Sequence, residues 1–233
     1  MSAILIFMAG IAGIIGWWMA SQRLTSKPWL EQGLAGDAPG MRGSSETIAK
    51  LGLGIFLAVV GALFTLLISA YLGRMSGADW WGIPMPRLLW VNTAALAASS
   101  VALQWAKTEA QRHRRDMLNT ALAAAFVMAV LFVAGQVLAW RQLASAGYVV
   151  ADNPSNSFFY MISGLHGLHI LGGLLVLGRT TIRARIGPVA RIRLSVGLCA
   201  IYWHFMFVVW LVLFALFAGW ANSFVDLCRQ LVS

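Results

Sequence analysis

Six stretches of about twenty or more residues, none holding an Asp, Glu, Lys or Arg, run through this chain: Ser2–Ala20, Leu51–Leu72, Leu88–Ala106, Met117–Trp140, Ser157–Gly178 and Leu194–Asn222. That length matches the hydrocarbon thickness of a bilayer spanned by a helix, and it is twice what a barrel strand needs. Without water in the hydrocarbon layer, a spanning backbone has to satisfy its polar groups internally, so the runs have to be helices. Composition agrees: 60% of the 233 residues are hydrophobic and only 11% are charged, less than half the roughly 25% of a soluble domain. The fold class expected is an all-α polytopic membrane bundle of about six transmembrane helices. It comprises an N-terminal transmembrane helix within residues 1–22, a cytoplasmic loop over 23–47 and a five-helix bundle over 48–233.

The net charge of +9 would suggest nucleic acid in a soluble protein, but here the bases sit in short connections between apolar spans. No nucleic-acid partner is expected. The segments 21–50, 107–116 and 179–193 hold thirteen of the Lys and Arg residues, and the opposite side holds four. Basic loops stay on the cytoplasmic side, so both termini are expected outside, in the periplasm of a bacterium. The first span lacks a basic n-region and is followed by Arg23 and Lys27, which reads as a retained anchor and not a cleaved signal. "SSET" at 44–47 offers Ser44 or Ser45 as a cap for the second helix.

All eight acidic residues fall in loops or at span ends. Ion-coupled transporters keep charge near the midplane, so an autonomous transporter is not expected. Two cysteines, Cys199 and Cys228, give no disulfide or metal framework. Histidine is the exception to this inert interior. His166 and His169 lie three apart in "SGLHGLHILGG", on one helix face, and His204 follows in "YWHFMF" at a comparable depth on the next, antiparallel span. Three readings stand open. The imidazoles serve interhelical hydrogen bonding and lipid-headgroup contact, satisfied by Ser163 or backbone carbonyls, or they ligate haem or metal, or they relay protons. Asn92, Gln104 and Gln136 read as interhelical hydrogen-bonding groups. The tryptophans Trp17, Trp18, Trp80, Trp81, Trp140 and Trp220 read as an interfacial belt.

Three segments carry a family resemblance: "FFYMISGLHGLHILGG" at 158–173, "YWHFMFVVWLVLF" at 202–214 and "NTAALAASSVALQWA" at 92–106. Together they resemble subunit III of the haem–copper terminal oxidases, and the match runs over nearly the whole chain from Lys50. The family has seven helices, or five in quinol-oxidase forms. Six helices ending outside correspond to loss of the first. The resemblance implies a non-catalytic subunit that holds no redox centre, with haem and copper in partner subunits. Its partners would be subunit I directly, then subunit II and small subunits, with phospholipid bound in a cleft beside the N-terminal helix. His166, His169 and His204 match the family's membrane histidines, and Trp203 and Trp210 its tryptophans, as lipid-binding or structural positions. No catalytic or metal residue is expected. Val60, Ala139 and Phe207 stand where relatives carry acids, so a role built on those carboxylates does not transfer. A subunit-III-like companion of nitric oxide reductase, and a bis-histidine haem-b protein using His169 and His204, are the alternatives.

Overall fold

The computed structural model describes residues 41–75 and 77–219. The anchor over Ser2–Ala20, together with Trp17, Trp18 and Trp220, lies outside them. Five helices are present and no strand occurs among the described residues: α1 Met41–Arg74, α2 Leu88–Gln111, α3 Arg115–Ser145, α4 Pro154–Ile186 and α5 Val189–Phe217. α1, α3, α4 and α5 are each long and apolar enough to cross a membrane. α2 is the more polar helix, carrying Asn92, Thr93, Ser99, Ser100, Gln104, Lys107 and Glu109.

Most of these helices outrun the apolar segments by a turn or more, because charged residues continue them past the hydrocarbon layer. α4 proceeds through Arg179, Arg183 and Arg185. α1 starts at Met41, so Ser44 and Ser45 stand within the helix and not at the position before it, and residues 41–47 are helix where a loop was expected. Local chemistry sets other boundaries. Asn153 caps α4 by accepting from Ser155 N at 3.0 Å, with Pro154 at the first helical position. Gly187 and Pro188 end α4 and open α5.

The antiparallel helices α2 to α5 close a ring, each packing against the next and α5 returning to α2. The α2–α3 pair is the most intimate, since alanines and serines line it and small side chains let backbones approach. Ser99 Oγ donates to Ala125 O at 2.8 Å. Asn92 Nδ2 donates to Gln136 Oε1 at 3.4 Å, seated where Gly135 leaves no room for a Cβ. Leu96, Leu103, Leu122, Phe132, Ile162 and Trp210 fill the interior. Where α3 begins, Arg115 donates to the carbonyls of Ala184, Arg185 and Gly187 at 3.5, 3.0 and 2.8 Å. It thereby serves the orphan acceptors at the end of α4.

α1 lies outside the ring against α4 and α5, and touches them almost wholly through side chains. Phe56 stacks on Tyr202, Phe64 meets the rings of His166 and His169, and Tyr71 packs edge-on to Phe158 and Phe217. These rings act as spacers and hold the α1 backbone away from its neighbours.

Candidate functional site

Each membrane histidine occupies a different environment. His166 is fully buried among Phe64, Phe132 and Trp210, with ring centroids 6.1, 5.9 and 5.1 Å away. Neither of its nitrogens has a hydrogen-bond partner. Ser163, the expected partner, instead accepts from Trp140 Nε1 at 3.1 Å and donates to Phe159 O at 2.5 Å. The correction has a simple cause: Ser163 lies three residues before His166, and its hydroxyl is already spent on the preceding turn and on α3. Aromatic rings surround His166, so it packs there as one more ring.

His169 lies 60° further round α4 by helical geometry. Its Nδ1 is 2.8 Å from Leu165 O, which makes it the one imidazole held by a backbone carbonyl as expected. Its own carbonyl accepts from Tyr202 Oη at 2.7 Å. His204 faces α2, with Nδ1 2.6 Å from Ser100 Oγ and Nε2 3.2 Å from Gln104 Oε1. His169 and His204 reach similar depths, as the Tyr202 bond shows, yet they turn toward α1 and α2 respectively. Both nitrogens of His204 are thus within hydrogen-bond distance of α2 side chains. Among the described residues no group of three or more His, Cys, Asp or Glu side chains is arranged to hold a metal.

The aromatic spacers leave a slot of about 680 Å³ between α1, α4 and α5. Leu53, Phe56, His169 and Tyr202 line its apolar body, and Arg179 and Arg183 stand at the basic end. Gly172 and Gly173 form part of the α4 wall. Gly173 admits Tyr202 and Trp203 so closely that a Cβ would fall 2.6 and 2.7 Å from their rings. Trp203 and Trp210 are both fully buried, in the core and not at a lipid surface, although Trp203 also borders the slot. A long apolar channel ending in two guanidinium groups suits an acyl chain with an anionic head.

Of the expected belt, Trp81 is 71% exposed and fits. Trp80 packs on Tyr71, and Trp140 is drawn inward by Ser163. Asn92, Gln104 and Gln136 make the interhelical bonds anticipated for them. Val60 and Ala139 are buried in the core and Phe207 packs against it. Sequence reasoning missed Glu109. It is only 4% exposed, two residues from the end of α2, with one oxygen 3.5 Å from Arg112 and the other unpaired. Its neighbour Ala110 and the fully buried Ala106 one turn earlier mark that face as inward, a signal that periodicity could have supplied.

Comparison with known proteins follows the same lines. Residues 50–222 match the family described as cytochrome c oxidase subunit III. The cytochrome c oxidase subunit 3 of Synechocystis sp. is 31% identical over 188 residues, covering 78% of this chain and 79% of that protein. Subunit 3 of Triticum aestivum is 32% identical over 146 residues, covering 62% of this chain and 52% of the relative. The probable subunit 3 of Mycobacterium bovis is 32% identical over 123 residues, covering 52% and 61%. The match thus spans about half to three fifths of the length of the wheat and mycobacterial proteins.

Proposed function

We propose, from the premise that this chain belongs to the cytochrome c oxidase subunit III family, that it is the accessory third subunit of a bacterial respiratory oxidase. In this role it flanks the catalytic subunit I and holds phospholipid, while haem and copper reside in partner subunits. The observation that carries the reading is the slot between α1, α4 and α5, apolar along its body and closed by Arg179 and Arg183. The bases cluster at one end of the helices, at Lys50, Lys107, Arg115, Arg183 and Arg193. By the positive-inside rule that end faces the cytoplasm of the inner membrane and both chain termini face the periplasm.

The histidines then serve packing. His166 fills an aromatic core, His169 helps wall the slot and His204 joins α5 to α2. Purification of the native complex in mild detergent tests the assignment: an oxidase subunit I and subunit II should accompany this chain in equal amount. Recovery with a nitric oxide reductase catalytic chain would overturn it. Labelling from the periplasm should modify Ser145→Cys and spare Ser195→Cys, and the reverse pattern would invert the topology.

A further inference from the structure

On the other side of α1 from the slot, the basic ends of α1, α2 and α5 enclose a separate cavity of about 400 Å³. Glu46, Lys50, Lys107, Gln111 and Arg193 line its polar part, and Leu198 and Ile201 lie among its apolar walls. Lys50 is held by Glu46 at 2.6 Å. Lys107 and Arg193 make no ion pair among the described residues. Three cations against one carboxylate leave a net charge of +2 on the lining. They come from three different helices, so the fold has gathered them, and no single charge run has done so. Like charges brought together without a counterion repel one another, and an anion in their midst relieves that repulsion.

The cavity is graded along the helix axes. Arg193, Leu194, Leu198 and Ile201 follow one another up α5, so charge lies at the surface and hydrocarbon toward the midplane. We propose that this cavity is a site for the phosphate group of one anion, recognised by Lys107 and Arg193 and bordered by the Lys50–Glu46 pair. The gradation favours a phosphate carried on an anionic phospholipid of the basic-side leaflet over free phosphate. Leu198 also lines the apolar slot, so α5 separates the two spaces. The site adds to the lipid-holding role proposed above and rests on different residues.

The chain offers a direct reading, since its lysines are Lys27, Lys50 and Lys107. The intact complex in nanodiscs of phosphatidylcholine, with or without a fraction of phosphatidylglycerol, would be treated with an amine-acylating reagent and its lysines quantified by mass spectrometry. Phosphatidylglycerol should slow modification of Lys107 several-fold more than it slows that of Lys27. The protection should disappear in Arg193→Gln, a substitution at an exposed position that leaves the core untouched. A third arm adds millimolar inorganic phosphate to the phosphatidylcholine discs. Protection there equal to that of the lipid would support the anion site and identify free phosphate as its source. Parallel slowing of Lys27 and Lys107, or protection that survives Arg193→Gln, would overturn the proposal. Because the complex is first purified with its partners, a negative result bears on this cavity alone.

Discussion

Replacing Gly173 by alanine tests the α4–α5 contact at its tightest point. The added methyl would stand 2.6 Å from Tyr202 Cε1 and 2.7 Å from Trp203 Cζ3, where carbon atoms ordinarily rest about 3.5–4.0 Å apart. Both rings, or the helix crossing itself, therefore have to yield by about 1 Å. Tyr202 borders the slot and is tied to His169 O, whereas Trp203 is fully buried, so neither ring moves freely. Forcing an extra methyl into a packed interior costs about 1–3 kcal/mol. Alanine's advantage in helix propensity, about 1 kcal/mol, offsets little of this, because helices persist in the membrane-denatured state. A net loss of about 1–2 kcal/mol is expected. Gly172 is the internal control: it precedes Gly173 by one residue, and a Cβ there meets nothing within 4 Å. Gly172→Ala should be neutral or slightly stabilising. Unfolding of the purified chain by titration of SDS into mild-detergent micelles, followed by Trp fluorescence, measures both. Equal stability of the two variants would show that the helix crossing is looser than described and would refute the reasoning.

Arg115→Gln should leave three carbonyls at the end of α4 without their donor. At about 1.5 kcal/mol for hydrogen bonds to a charged group, amide exchange in the α4–α5 turn should rise roughly tenfold, read by hydrogen–deuterium exchange. In the α1–α2 connection Arg74 pairs with Asp79, and the guanidinium holds the Asp79 carboxyl below its ordinary range. That contact contributes fully above the usual carboxyl pKa of about 4 and fades as pH falls through the depressed one. Protease sensitivity of this loop should thus stay flat down to pH 4 and increase only below it. A carbodiimide should add to no residue within the apolar spans; Glu109, just beyond the second of those described, is the buried acid among the described residues. An adduct identified by peptide mass spectrometry inside any of the apolar stretches 51–72, 88–106, 117–140, 157–178 or 194–217 would contradict the placement of the acids.

Periodicity and charge marked the helices because the bilayer imposes one length and one polarity on every span. Helix ends were harder to read. α4 runs on through Arg183 because helical hydrogen bonding does not stop where hydrocarbon does, and only Gly187 and Pro188 halt it. The histidines were recognised as a group, but their separate fates depend on rotation about α4 and on which helix α5 turns toward. His166 and His169 differ by 60° of that rotation, which is the difference between a sealed aromatic core and the wall of a slot. Spacing places residues on a face without saying what faces them. Ser163 shows this well: it looked like the natural partner of His166 until Trp140 arrived from α3. The slot itself was invisible, since it arises from the reach of Phe56, Phe64 and Tyr71 and not from any motif.

The unequal polarity of the helices bears on how the chain is built into the bilayer. α1 is the most apolar of the described spans and its seats lie on α4 and α5, which are synthesised after α2 and α3. Ile48, Leu51, Ile55, Val59 and Leu66 face outward from it, so it is equipped to wait in lipid alone. α2 is not, with Asn92, Ser99, Ser100 and Gln104 along its length. Its closest companion, α3, is the very next helix synthesised, and the turn between them is only Arg112–Arg114. Insertion of α2 should therefore be a paired event, two helices entering as a hairpin that hides amides and hydroxyls on its inner seam, while α1 drifts until the ring behind it has closed.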